Sequence, residues 1–334
     1  MNQQKEYIPG FDCAKLLGCI CVAASHLLPE QPSSLPPVVA SAFSGIVPLF
    51  FLMSGYLMKL SVERKSTPLP HLHRYLMRYG LVYFSLNLVA NIIHYARIYM
   101  QSGILMINDF LLVTLTTPLW QVPLYQLWFI PSLMLGMWCS VHAFMLRKEK
   151  LWGLALIPLT VVTLLFSTYG VSFFGISASG FSYPYHAVVP LHFVEGLAFV
   201  YLGMLMASRR QALSSPKAFW LPALLVLFAE DHIVRHVFHI EQISTIFTFS
   251  QCIFAVAIFR TILCLPGQFL RNYHRLINRF TLLIFLLHPL QIDFFRTWIP
   301  NPYLLFPIII CVNLILAYAF PYLFSRKAGV HHGL

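Results

Sequence analysis

Ten stretches of this chain are apolar over nearly twenty residues or more, near 11–29, 38–60, 75–99, 127–146, 151–169, 188–207, 218–237, 242–263, 279–298 and 303–325. A helix rises about 1.5 Å per residue, so runs of this length reach across roughly 30 Å of hydrocarbon. Inside lipid no water satisfies backbone N–H and C=O groups, and a chain made of such runs meets that constraint as a bundle of helices. The expectation is an all-α, polytopic membrane protein of about ten spans, folded as a single domain over 1–334. A shorter apolar run, 110–120, ends at prolines and reads as a re-entrant or interfacial piece. Composition points the same way: 58% apolar and 10% charged residues leave too little polar surface to clothe a soluble globule of 334 residues.

Net charge of +11 raises the question of nucleic acid, but the basic residues are scattered through the short loops between spans. Placed on alternate sides, Lys5, Lys59, Arg64, Lys65, Arg74, Arg78, Arg147, Lys148, Lys150, Arg209, Arg210, Lys217, Arg260, Arg271, Arg275, Arg279, Arg326 and Lys327 fall on one face, against Arg97, Arg235 and Arg296 on the other. Eighteen against three is the cytoplasmic bias of a membrane protein, so both termini are expected inside and no nucleic-acid partner is expected. The Pro-rich connection 29–37 and the aromatic, Gly- and Ser-rich connection 170–190 then lie outside. Seven cysteines in or beside apolar runs, with no Cys-x-x-Cys pair, argue against a disulfide framework and a zinc site. With Lys and His in its interior and a weak cleavage context, the first run is expected to be a retained helix and not a cleaved leader.

Those two residues are Lys15 and His26. At about 100° per residue, the eleven-residue step between them returns to nearly the same helix face, so amine and imidazole look the same way, about three turns apart. Ionisable groups on one face of a lipid-embedded helix are costly and carry function by default. Gly18, Cys19 and Val22 make a narrow stripe between them, and Asp12, one turn earlier, is placed to pair with Lys15. The next apolar stretch carries Pro48-Leu49-Phe50-Phe51-Leu52-Met53-Ser54-Gly55-Tyr56.

This pattern resembles the membrane-bound acyltransferase 3 family, in which an Arg or Lys, ten residues and a His on the first helix are followed by Pro-Leu-Phe-Phe-x-x-Ser-Gly-Tyr on the second. Weaker echoes are Leu127-Trp128-Phe129, the run from Phe199 to Gly203, and Leu286-Leu287-His288, so the likeness runs over nearly the whole chain. It implies a multi-pass O-acyltransferase of the bacterial cytoplasmic membrane, similar to enterobacterial surface-polysaccharide O-acetyltransferases. Such an enzyme moves an acyl group, acetyl first of all, from acyl-coenzyme A to a hydroxyl of a lipid-linked or cell-envelope glycan. Acetyl-coenzyme A is then a co-substrate, with no permanently bound cofactor, and membrane lipids surround the enzyme.

On that reading His26 is the general base that takes the hydroxyl proton, and Lys15 holds the donor's phosphates or its polarised thioester carbonyl. The family usually has Arg at Lys15, and Lys lacks the flat two-pronged donor. The resemblance assigns a basic pair opening the third span, here Arg74 and Arg78, to the acyl donor; a second basic cluster, Arg271, His274, Arg275 and Arg279, lies on the same side. Ser54 and Tyr56 offer hydroxyls along a donor channel, while Gly55 permits close backbone approach. Glu195, sharing a face with His192, and His288 in the ninth span are candidates to bind the acceptor or orient His26.

His232 and His236 have the i, i+4 spacing of a metal clamp within the cluster Glu230, Asp231, His232, Arg235, His236, His239. Membrane histidine-box enzymes need several such boxes on one side, and His71, His73, His331 and His332 are expected on the other, so no metal is expected. The competing functional class is a ten-helix transporter or flippase with Lys15, His26, Glu195 and His288 as a relay. Absence of an internal repeat disfavours it.

Overall fold

A computed structural model describes residues 7–27, 45–104, 106–116, 125–166, 188–209, 220–236, 248–265 and 270–325. Every regular element among them is helical: α1 (Pro9–Leu27), α2 (Ile46–Glu63), α3 (Pro68–Ser102), α4 (Ile107–Thr116), α5 (Phe129–Met145), α6 (Glu149–Phe166), α7 (Val188–Ser208), α8 (Trp220–His236), α9 (Phe249–Cys264), α10 (His274–Arg296) and α11 (Pro302–Ser325), with short 3₁₀ turns at Tyr125–Trp128 and Arg271–Tyr273. Each of the ten expected runs overlaps one helix of more than three turns, and the short run near 110–120 overlaps the ten-residue α4. Among the described residues four helices are long and apolar enough to cross a membrane: α1, α2, α3 and residues 302–319 of α11. Three shorter apolar stretches, Phe129–Met145, Phe193–Ser208 and Phe249–Cys264, accompany them.

Local chemistry sets several ends. Pro68 sits in the first turn of α3, where a missing N–H costs nothing, and Gly103 stops the helix in the left-handed conformation (φ 69°), its N–H returning to the Tyr99 carbonyl at 2.8 Å. Glu230, near the end of α8, accepts from the backbone N–H groups of Phe249 (3.2 Å) and Ser250 (2.7 Å) and so satisfies the first turn of α9.

The helices divide into two compact units, residues 37–261 and residues 1–36 with 262–334. In the larger unit α7 packs against α2, α5 and α6. Small residues make the approach possible. A Cβ on Gly203 would overlap the Leu52 carbonyl oxygen, one on Gly55 the Val200 carbonyl oxygen, and one on Gly196 the Ser132 side chain. Backbones in lipid gain their attraction from such close packing, because hydrocarbon around them is as apolar as the helices themselves. Phe51 joins α2 to α5 by stacking on Phe129, ring centroids 4.4 Å apart.

In the smaller unit α1 and α10 run parallel: Asp12 meets His274, Lys15 meets Asn278 and His26 meets His288, in rising order along both helices. α11 returns antiparallel to α10, joined by the amides of Gln291 and Asn313 (2.6 Å from Asn313 Nδ2 to Gln291 Oε1). Beyond these polar contacts Leu27, Ile292, Leu305 and Ile309 close an apolar end, with Phe295, Ile299 and Phe306 packed against it.

Candidate active site

The parallel contact of α1 and α10 holds two polar zones on one seam. At its beginning Asp12, 1% exposed, accepts a 2.6 Å hydrogen bond on Oδ2 from His274 Nδ1. Asn278 completes a ring: its Oδ1 accepts from Lys15 Nζ at 2.8 Å, and its Nδ2 stands 2.9 Å from His274 Nε2. Lys15 Nζ is 3.8 Å from the other Asp12 oxygen, closing the circuit. Lysine only donates, so Asn278 must present its carbonyl to Lys15 and its amide to the imidazole. His274 Nε2 is then the bare acceptor, and Nδ1 carries the hydrogen that Asp12 receives. Tyr7 stands edge-on to His274 with ring centroids 5.4 Å apart. Burial, then the neighbouring Asp12 carboxylate, pushes its hydroxyl up to about 12.

Eleven residues along α1, about 16 Å at 1.5 Å per residue, His26 stacks on His288, ring centroids 5.3 Å apart and planes 22° from parallel. His288 is 2% exposed, and its Nδ1 lies 2.6 Å from the Ile284 carbonyl oxygen one turn back. Pro289 follows inside the helix and has no N–H for the Phe285 carbonyl. Gly18, Cys19 and Val22, between Lys15 and His26, are all buried.

The motif segments therefore meet in two places. In the smaller unit the Lys15 and His26 helix lies on His288 and its neighbours. Within the larger unit Pro48 to Tyr56 meets both other echoes: Phe51 lies 6.0 Å from Trp128 and 4.4 Å from Phe129, ring to ring, while Gly55 and Leu52 face Val200 and Gly203. A model of the family described as "Acyltransferase domain", of the acyltransferase 3 type, matches residues 8–326. The chain belongs to the acyltransferase 3 family. It is thus a membrane acyltransferase, and the family match runs through both compact units. No curated protein and no solved structure matches the chain.

The other candidate residues of this acyltransferase are spread over the larger unit. Arg74 and Arg78 are exposed on the first turns of α3. Gly55 is a packing residue, and Tyr56 is buried edge-on to Phe259, ring centroids 5.6 Å apart; Ser54 is half-buried beside them. Glu195 is buried on α7, next to the Gly196 contact with α5, while the side chain of His192 lies outside those described. The His232 and His236 rings are 4.4 Å apart, but Glu230 spends both oxygens on the start of α9. Among the described residues no group of three metal-ligating side chains converges; His239, His331 and His332 lie outside them. Sequence reasoning missed Asn278, the partner that fixes Lys15. Its one signal is spacing: an amide four residues after His274 shares that histidine's helix face.

Proposed function

We propose that this acyltransferase moves an acyl group, acetyl first among the candidates, from cytoplasmic acyl-coenzyme A to a hydroxyl of a lipid-linked or cell-envelope glycan. The observation that carries the reading is the α1/α10 seam, where a cation and an imidazole stacked on one helix each meet a polar partner inside an apolar bundle. His26 is the base in this proposal. It takes the hydroxyl proton as oxygen adds to the thioester carbon, and the thiolate of coenzyme A leaves. Lys15 donates one hydrogen to Asn278, and its other N–H bonds serve the thioester carbonyl or a donor phosphate. Arg74 and Arg78, exposed at the start of α3, receive the donor's phosphates, with Ser54 and Tyr56 along its arm. Glu195 serves the acceptor.

About ten spans, with both termini in the cytoplasm of a bacterial cell, fit the charge bias. The parallel course of α1 and α10 supports this count, because first and ninth spans of an alternating chain enter from the same side. His26→Ala is expected to abolish release of coenzyme A thiol from acetyl-coenzyme A, and glycan acylation read by mass spectrometry of envelope material, at unchanged protein level in the membrane. Retained acylation in that variant would remove His26 from the chemistry.

A further inference from the structure

His288 carries a second basic nitrogen that the fold does not use. A carbonyl oxygen only accepts, so the 2.6 Å contact with Ile284 puts the ring hydrogen on Nδ1. Nε2 is then a bare lone pair, and it is buried with no hydrogen-bond partner among the described residues. Buried polar atoms are almost always paired, and an unpaired one is explained by strain, a catalytic role or a bound water or ion. Folding alone does not call for this nitrogen. An asparagine would make the same bond to Ile284, and an apolar ring would fill the same space. The ring that carries the lone pair stacks on the His26 ring, 5.3 Å from centroid to centroid, and the Nδ1 bond fixes its orientation. A base oriented by a third group in this way is the arrangement that activates a nucleophile.

We propose that Nε2 of His288 receives the proton that His26 takes from the attacking hydroxyl, so that the stacked pair shares the base work of acyl transfer. This rests on the acyl-coenzyme A reading above. The acceptor O–H adds to the thioester carbon and the C–S bond breaks. Sulfur leaves as the coenzyme A thiolate, and the proton released by oxygen rests on the imidazole pair. It then passes to sulfur, so that alcohol and thioester become ester and thiol and both rings end neutral. Two rings this close repel as cations, so the pair holds one proton at a time.

Two substitutions separate the two nitrogens of His288. His288→Asn keeps a donor where Nδ1 stands and removes Nε2; His288→Gln puts an amide near Nε2 that accepts a hydrogen bond without taking a proton. The full chain, purified into lipid nanodiscs, is supplied with acetyl-coenzyme A, and thiol release is followed with and without membrane extract as acceptor source. Both variants are expected to lose at least about 100-fold in kcat, the range of one general base, with KM for acetyl-coenzyme A within about twofold. Full activity in His288→Asn makes the ring structural and overturns the proposal. Activity in His288→Gln alone also overturns it, leaving Nε2 a hydrogen-bond acceptor and no base. Should the variants not fold, nitrogen-15 NMR of histidine in the unaltered protein decides: the Nδ1–H tautomer at His288 is expected, and an Nε2–H tautomer overturns the assignment. If the unaltered protein releases no thiol under either condition, the donor reading fails, and this inference fails with it.

Discussion

Asn278 is the residue whose removal tests the α1/α10 register most directly. It accepts from Lys15 at 2.8 Å and stands 2.9 Å from His274 Nε2, and leucine has nearly its shape without either bond. A hydrogen bond from a charged donor contributes about 1.5–3 kcal/mol; Lys15 is 23% exposed, which places it at the lower end. The His274 bond adds little, because a side chain 42% exposed replaces an amide with water. Asn278→Leu is therefore expected to cost about 1.5–2 kcal/mol. Lys15→Met loses the same bond and its weak pairing with Asp12, for about 2 kcal/mol. If both single losses report one bond, the double variant costs scarcely more than either, and a coupling near 1.5 kcal/mol remains. Equilibrium unfolding of the four purified proteins in mixed micelles measures it. Additive losses, with coupling below about 0.3 kcal/mol, would mean that the Lys15 to Asn278 bond does not exist and that the register of α1 on α10 is wrong.

The glycine seam of the larger unit predicts a contrast between two substitutions of one kind. Gly203→Ala places a methyl on the Leu52 carbonyl oxygen and is expected to cost about 1–3 kcal/mol or more, whereas Gly80→Ala meets only the Met134 methyl at 3.4 Å and should be neutral or stabilising, both read by thermal unfolding in detergent. Glu230→Ala strips both acceptors from the start of α9 and should lower stability by about 1–2 kcal/mol. Glu230→Gln, keeping one acceptor, should recover part of it, and equal losses would show that α9 does not depend on this cap.

Hydrophobicity alone located the helices, because a run that must satisfy its backbone in lipid has no other local option. Ends were harder. The third run reads 75–99, but α3 spans Pro68–Ser102, since Pro68 and Gly103 set its limits and not its polarity. The ninth reads 279–298, and α10 begins at His274, because the polar side chains at its start, His274 and Asn278, are met by Asp12 and Lys15. The face shared by Lys15 and His26 follows from periodicity, and so does the closeness of Asp12, one turn from Lys15. What periodicity cannot supply is the partner. Asp12 makes its shorter bond to His274, 262 residues away, and Lys15 to Asn278, 263 residues away. Gly55 shows the opposite case: the Ser-Gly-Tyr motif reads equally as ligand contact or helix packing, and the Val200 carbonyl settles it as packing for the glycine.

The long separation within the α1/α10 seam has a consequence for biogenesis. Asp12 and His274 stand 262 residues apart, so a ribosome adding about 5–20 residues per second delivers the second partner roughly 13–50 s after the first. During that interval the leading helix carries Asp12, Lys15 and His26 into the bilayer without His274, Asn278 and His288, the side chains that later partner them. Its early residence therefore depends on a protected berth at the insertion machinery or at the headgroup surface, and the smaller unit can close only once α10 has been made.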